Sequence, residues 1–66
     1  MNIIDFADEV ESMGLTWDIG WRGLADIEVR VWDFPHVIAR QTVNKIDDID
    51  WAIDIVLNKL NALEQS

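Results

Sequence analysis

Four carboxylates crowd one short stretch of the chain: Asp47, Asp48, Asp50 and Asp54. On a helix, Asp50 and Asp54 would share a face, where paired acids can hold a divalent ion or divide acid and base roles. A calcium loop is excluded, because its central glycine and terminal glutamate are missing. A helix N-terminus gathers aspartates for its own reasons, since they cap orphan amides and complement the helix dipole. That plainer reading accounts for the whole cluster. The single histidine, His36, follows Pro35 in a turn, and Ser12 and Ser66 lie far from it in sequence. Nucleophilic catalysis needs a hydroxyl or thiol beside a base, and no such set is suggested. There is no cysteine and no glycine-rich phosphate loop. The sequence therefore predicts no enzyme, no cofactor and no metal.

The aspartates open the clearest helix in the chain, over 47–64. Ile46, Ile49, Ile53, Val56, Leu57, Leu60 and Leu63 recur at helical spacing and make one broad stripe. At about 100° per residue, Trp51, Ile55 and Ala62 project from the opposite side. That side of a surface helix is ordinarily polar. Two readings follow: Trp51 leans over a neighbouring element and is partly covered, or Trp51 and Ile55 form a contact stripe for another chain, rimmed by Asp47, Asp48 and Asp54.

Upstream, Asn2 can cap a first helix over 3–13, whose inner face is Ile3, Phe6, Ala7, Val10 and Met13. Asp8 and Glu11 point outward, and Gly14 supplies the left-handed residue that ends the helix. The period then changes to two. Leu15, Trp17, Ile19 and Trp21 alternate with polar residues in a strand over 15–22. Arg22-Gly23-Leu24 turns the chain. Ala25, Ile27, Val29 and Val31 alternate with Asp26, Glu28, Arg30 and Trp32 in a second strand over 25–33. Pro35 breaks that strand, and a third follows over 37–43, its facing blurred by the continuous run Val37-Ile38-Ala39.

The order α-β-β-β-α with short connections predicts an antiparallel meander. Both helices must cover the tryptophan-rich face, giving a two-layer α+β fold in one domain spanning 1–66. The opposite sheet face would show Asp18, Arg22, Glu28, Arg30, Trp32, Ile38 and Arg40. Trp32 is unexpected there and adds a second candidate contact residue.

Bulk properties narrow the partners. Sixty-six residues allow one small core. Half of them are hydrophobic, which indicates a folded chain and, at this length, an inclination to self-associate. No stretch approaches the roughly 20 apolar residues of a membrane helix, and no signal peptide is evident. The lack of cysteine permits a reducing compartment, so a cytoplasmic location is expected. The net charge is −8. It is concentrated at the ends: residues 1–14 carry Asp5, Asp8, Glu9 and Glu11 with no base, and 47–66 carry five acids against Lys59. Such a field repels phosphate backbones and attracts basic protein surfaces.

The element order and length resemble those of the double-stranded RNA-binding domain. That family implies a basic cluster at the start of the second helix. Here the matching place reads Asp47-Asp48-Ile49-Asp50, of opposite sign, which argues against direct nucleic-acid binding. In layout the chain also resembles small phage-encoded anti-CRISPR proteins. The matching pieces are Met1-Asn2-Ile3-Ile4-Asp5, the strands within 15–43 and the helix from Asp47. A third helix and a long acidic loop of that family are missing. The resemblance implies acidic side chains that occupy a DNA-reading groove. The expectation is a small acidic protein-binding inhibitor, with Trp51, Ile55, Asp47, Asp48, Asp54, Asp8, Glu11 and Trp32 at its contact surfaces. The alternative is a homo-oligomeric assembly protein joined through Trp51 and Ile55 or through the Trp32 face.

Overall fold

The computed structural model describes residues 1–23 and 25–64. Leu24 of the first turn, and Gln65 and Ser66, lie outside them. In order come α1 (Ile3–Ser12), β1 (Thr16–Arg22), β2 (Asp26–Asp33), β3 (His36–Val43), a 3₁₀ turn (Ile46–Asp48) and α2 (Ile49–Glu64). The strands form one antiparallel sheet in the order β1-β2-β3. The fold is α+β with the α-β-β-β-α order, and both helices cover the same sheet face.

Local chemistry sets the ends of α1. The Asp5 amide donates to Asn2 Oδ1 at 2.9 Å, so Asn2 is a working N-cap. At the other end Gly14 takes φ +75°. Its amide donates to the Glu11 carbonyl, and the Leu15 amide reaches back to the Val10 carbonyl. This paired closure satisfies two orphan carbonyls and reverses the chain into β1.

The centre of the core is β2. Ile27, Val29 and Val31 are buried between Phe6 and Val10 of α1 and Ala52, Ile53, Val56, Leu57 and Leu60 of α2. From β3, Ala39 and Val43 complete it. α1 packs on β1 and on α2, whereas α2 packs on β2 and β3.

Several expectations fail where an element runs out. Trp21 was expected under the helices but is 69 % exposed. From α1, Phe6 stands edge-on to the Trp17 ring, with centroids 5.7 Å apart. Trp21 lies four residues further along the strand, about 13 Å away at the usual rise, and α1 does not extend over it. Ile46 and Leu63, expected in the core stripe of the second helix, are exposed as well. Ile46 sits in the 3₁₀ turn, whose tighter winding takes it out of register with the α-helical stripe. Leu63 lies in the last turn of α2. Among the described residues neither Asp47 nor Asp48 caps a backbone amide; the turn is closed by the Asp48 amide donating to the Lys45 carbonyl at 3.1 Å.

The blurred facing of β3 also has a cause. Val31 pairs with Ala39, but Trp32 pairs with Val37, so Ile38 is the extra residue of a bulge. It packs against the core instead of joining Arg40 on the opposite face.

These contacts separate two tryptophans that look alike in sequence. Trp17→Ala should destabilise the domain by about 2 kcal/mol, while Trp21→Ala should change stability by less than about 0.5 kcal/mol. Urea denaturation of the two variants measures both, and equal losses would contradict the packing described.

Candidate functional site

The expected contact residues fall into separate places. At the start of α2, Trp51 is 54 % exposed. It shares a shallow depression with Asp48 and with Asp26, Gln41, Thr42, Val43 and Asn44 at the end of the sheet. Asp47 and Ile46 are exposed just before it. Ile55 follows Trp51 by one helical turn and is half-buried, so it contributes less free surface than Trp51.

Asp54 faces a different way. Its carboxylate lies 3.1 Å from the Met1 amino group. With Glu9, Leu57, Asn58 and Asn61 it lines a groove between α1 and α2. Asp8 and Glu11 are exposed on α1, in the outward row that also carries the exposed Ile4. The helical side therefore presents carboxylates from both helices, with Trp51 as its large aromatic side chain. Among the described residues, no group of three acids, histidines or cysteines is placed to hold a metal ion.

Trp32 belongs to the uncovered sheet face. It is half-buried and stands 6.3 Å from the ring of Phe34, itself 81 % exposed. Around the two rings lie Thr16, Trp17 and Asp18. The Arg30 guanidinium sits 5.3 Å above the Trp32 ring.

Arg30 also anchors a charge network that the sequence reading left unassembled. It donates to both oxygens of Asp18, at 2.8 and 2.7 Å, in a bidentate pair. Its Nε lies 3.5 Å from Glu28 Oε1. Arg22 donates to Glu28 Oε2 at 3.1 Å. The hydrogen bonds it donates to Asp18 hold the Arg30 guanidinium above its ordinary pKa, desolvation opposes this, and the nearby charges of Asp18 and Glu28 add to it. Glu28 is the one buried charged residue among those described, its side chain only 8 % exposed on a face without a helix above it. The cover comes from the long side chains around it. The signal was present in the sequence: period-two alternation sets Asp18 and Arg22 on one strand beside Glu28 and Arg30 on the next, and the register pairs Asp18 with Arg30.

Arg40 lies across from Arg30 in the register but has no carboxylate partner among the described residues. Glu28→Gln should therefore destabilise the domain by about 1 kcal/mol, since Arg22 can turn to water and Arg30 keeps Asp18. Arg40→Gln should leave stability within about 0.5 kcal/mol. Thermal melting of the two variants tests this, and the reverse ranking would contradict the network. Comparison with protein-family models, curated proteins and solved structures finds no match to this chain.

Proposed function

We propose that this protein is a small acidic binding module that docks on a basic surface of a larger protein through its helical side. The observation that carries this reading is Trp51, half-exposed at the start of α2 and preceded by Asp47 and Asp48. A large aromatic side chain at the centre of a contact supplies apolar burial, and surrounding carboxylates supply orientation and rate. Asp8, Glu11 and Asp54 extend the same sign of charge across both helices.

The class of partner follows from charge. A surface of this sign is repelled by nucleic acid but complements the grooves of proteins that handle it. Together with the resemblance in layout to phage-encoded inhibitors, this favours an inhibitor of a nucleic-acid-handling protein, working by occupation of its basic groove. No helix is long and apolar enough to cross a membrane among the described residues.

A second reading is favoured by a separate observation. The Trp32–Phe34 pair is an aromatic patch on a sheet face whose charges are largely neutralised internally. Such a face suits association between copies of the chain. Light scattering of the Phe34→Ser variant against the parent tests it: a drop from dimer to monomer supports association, and a parent that is already monomeric at high concentration sinks it.

For the first reading, immobilised protein should retain a specific partner from a bacterial lysate at about 0.1 M salt. It should release that partner at about 1 M, where the screening length falls from about 10 Å to about 3 Å. Trp51→Ala, shown to be folded by its spectrum, should lose the same partner. Retention of that partner by Trp51→Ala, or retention unchanged at high salt, would contradict the proposal.

A further inference from the structure

The free edge of β3 is a feature that the proposed function leaves unused. In an antiparallel ladder, alternate residues turn both backbone groups toward the neighbouring strand or away from it. Two side-chain contacts show which residues of β3 turn away. Lys59 Nζ donates to the Arg40 carbonyl at 2.8 Å. Gln41 Nε2 donates to the Thr42 carbonyl at 3.0 Å. Both carbonyls therefore point off the open edge, and the amides of Arg40 and Thr42 point with them. Lys59 also lies 3.4 Å from Gln41 Oε1, so the two capping side chains are linked.

An exposed edge of this kind is a template for another strand unless it is guarded, and lysine is a common guard. Here the guard occupies the carbonyls and leaves the two amides open. The edge is basic only around Arg40 and Lys59; toward Thr42 it is flanked by Asp26 and Asp48. β3 contains no carboxylate. Among the described residues, neither Arg40 nor Lys59 is paired with a carboxylate, whereas Arg22 and Arg30 are. α2 keeps its charges apart: Asp54 lies beside Met1 at the α1 groove, and Lys59 lies on the β3 side. Beside the edge, Val37, Ile38 and Ala39 line a shallow depression together with Arg40 and Lys59. It offers a seat for an apolar side chain next to two cations.

We propose that the β3 edge accepts an extended acidic segment of a partner protein as a fourth strand. The segment pairs with the backbone groups of Arg40 and Thr42. Lys59 swings from the Arg40 carbonyl to a carboxylate of the incoming strand, and Arg40 takes another. An apolar residue of the segment enters the Val37–Ala39 depression. A second copy of β3 is a poor occupant, because it brings the same unpaired Arg40 and Lys59 to the seam, and like charges across a pairing are unfavourable. The β1 edge is the weaker candidate, since β1 contributes no unpaired cation, its Arg22 being paired with Glu28.

The test is a titration of the full chain with short blocked peptides, followed by backbone amide shifts. A peptide alternating glutamate and valine should shift the Arg40 and Thr42 amides most and slow their exchange. A lysine–valine counterpart, and a glutamate–proline peptide that cannot pair, should bind at least about tenfold more weakly. Arg40→Glu, with the rest of its spectrum unchanged, should lose about tenfold in affinity for the glutamate–valine peptide. Shifts that map to the helices, or equal binding of the lysine peptide, would overturn the proposal. So would a parent protein that doubles in size with its Arg40 and Thr42 amides protected, because the edge would then be selecting a second copy.

Discussion

Everything in this molecule follows from covering one face of a sheet with very little helix. The contact that does so is the burial of Ile27, Val29 and Val31 on β2 beneath Phe6, Val10, Ile53 and Val56. A domain of this size buries a smaller fraction of its surface than a larger one, so its stability rests on few side chains. β2 is the central strand, paired on both sides and sealed from above. The two helices divide the remaining work, α1 over β1 and α2 over β2 and β3. Neither has length to spare, and the residues beyond their reach, Trp21 among them, are left at the surface.

The open face and the open edge are then managed by side chains. On the face, Glu28 is enclosed by Arg22 and Arg30, and Asp18 takes the fork of Arg30. A buried carboxylate without such partners would be costly. On the edge, Lys59 and Gln41 occupy the carbonyls that a neighbouring strand would otherwise find. The helical side receives the surplus acid. The result is a molecule with sides of different character: acidic with Trp51, internally neutralised with Trp32 and Phe34, and basic at one point of the β3 edge, around Arg40 and Lys59. This separation is why charge, more than any constellation of reactive groups, supports the functional reading.

Much of the fold was legible in the sequence because period and punctuation are local. Asn2, Gly14, Gly23 and Pro35 mark the ends of elements, and the change from helical to period-two spacing at Leu15 marks the sheet. The α+β arrangement follows once the short connections are joined to the need to bury β2. What was not legible depends on where elements stop in space. Trp21 has the same pattern as Trp17, and only the position of Phe6 distinguishes them. Ile38 looked outward by alternation, and a one-residue bulge turned it toward the core. Of the candidate contact residues, Trp51 and Trp32 could be assigned to opposite sides by phase alone. The parting of Asp54 from Trp51, the enclosure of Glu28, and the bonds from Lys59 to β3 are pairings across distant parts of the chain. One sequence carries little trace of them.

The measurement that bears most directly on this account is native-state amide exchange in the free protein. If β2 is the sealed centre and β3 an open edge, the Val29 and Val31 amides exchange only through global unfolding. The Arg40 and Thr42 amides then exchange orders of magnitude faster, close to the rate of an unprotected chain. Protection of Arg40 and Thr42 equal to that of Val29 would contradict the account, because the edge would then be paired and the one-sided cover of the sheet would not describe the molecule in solution.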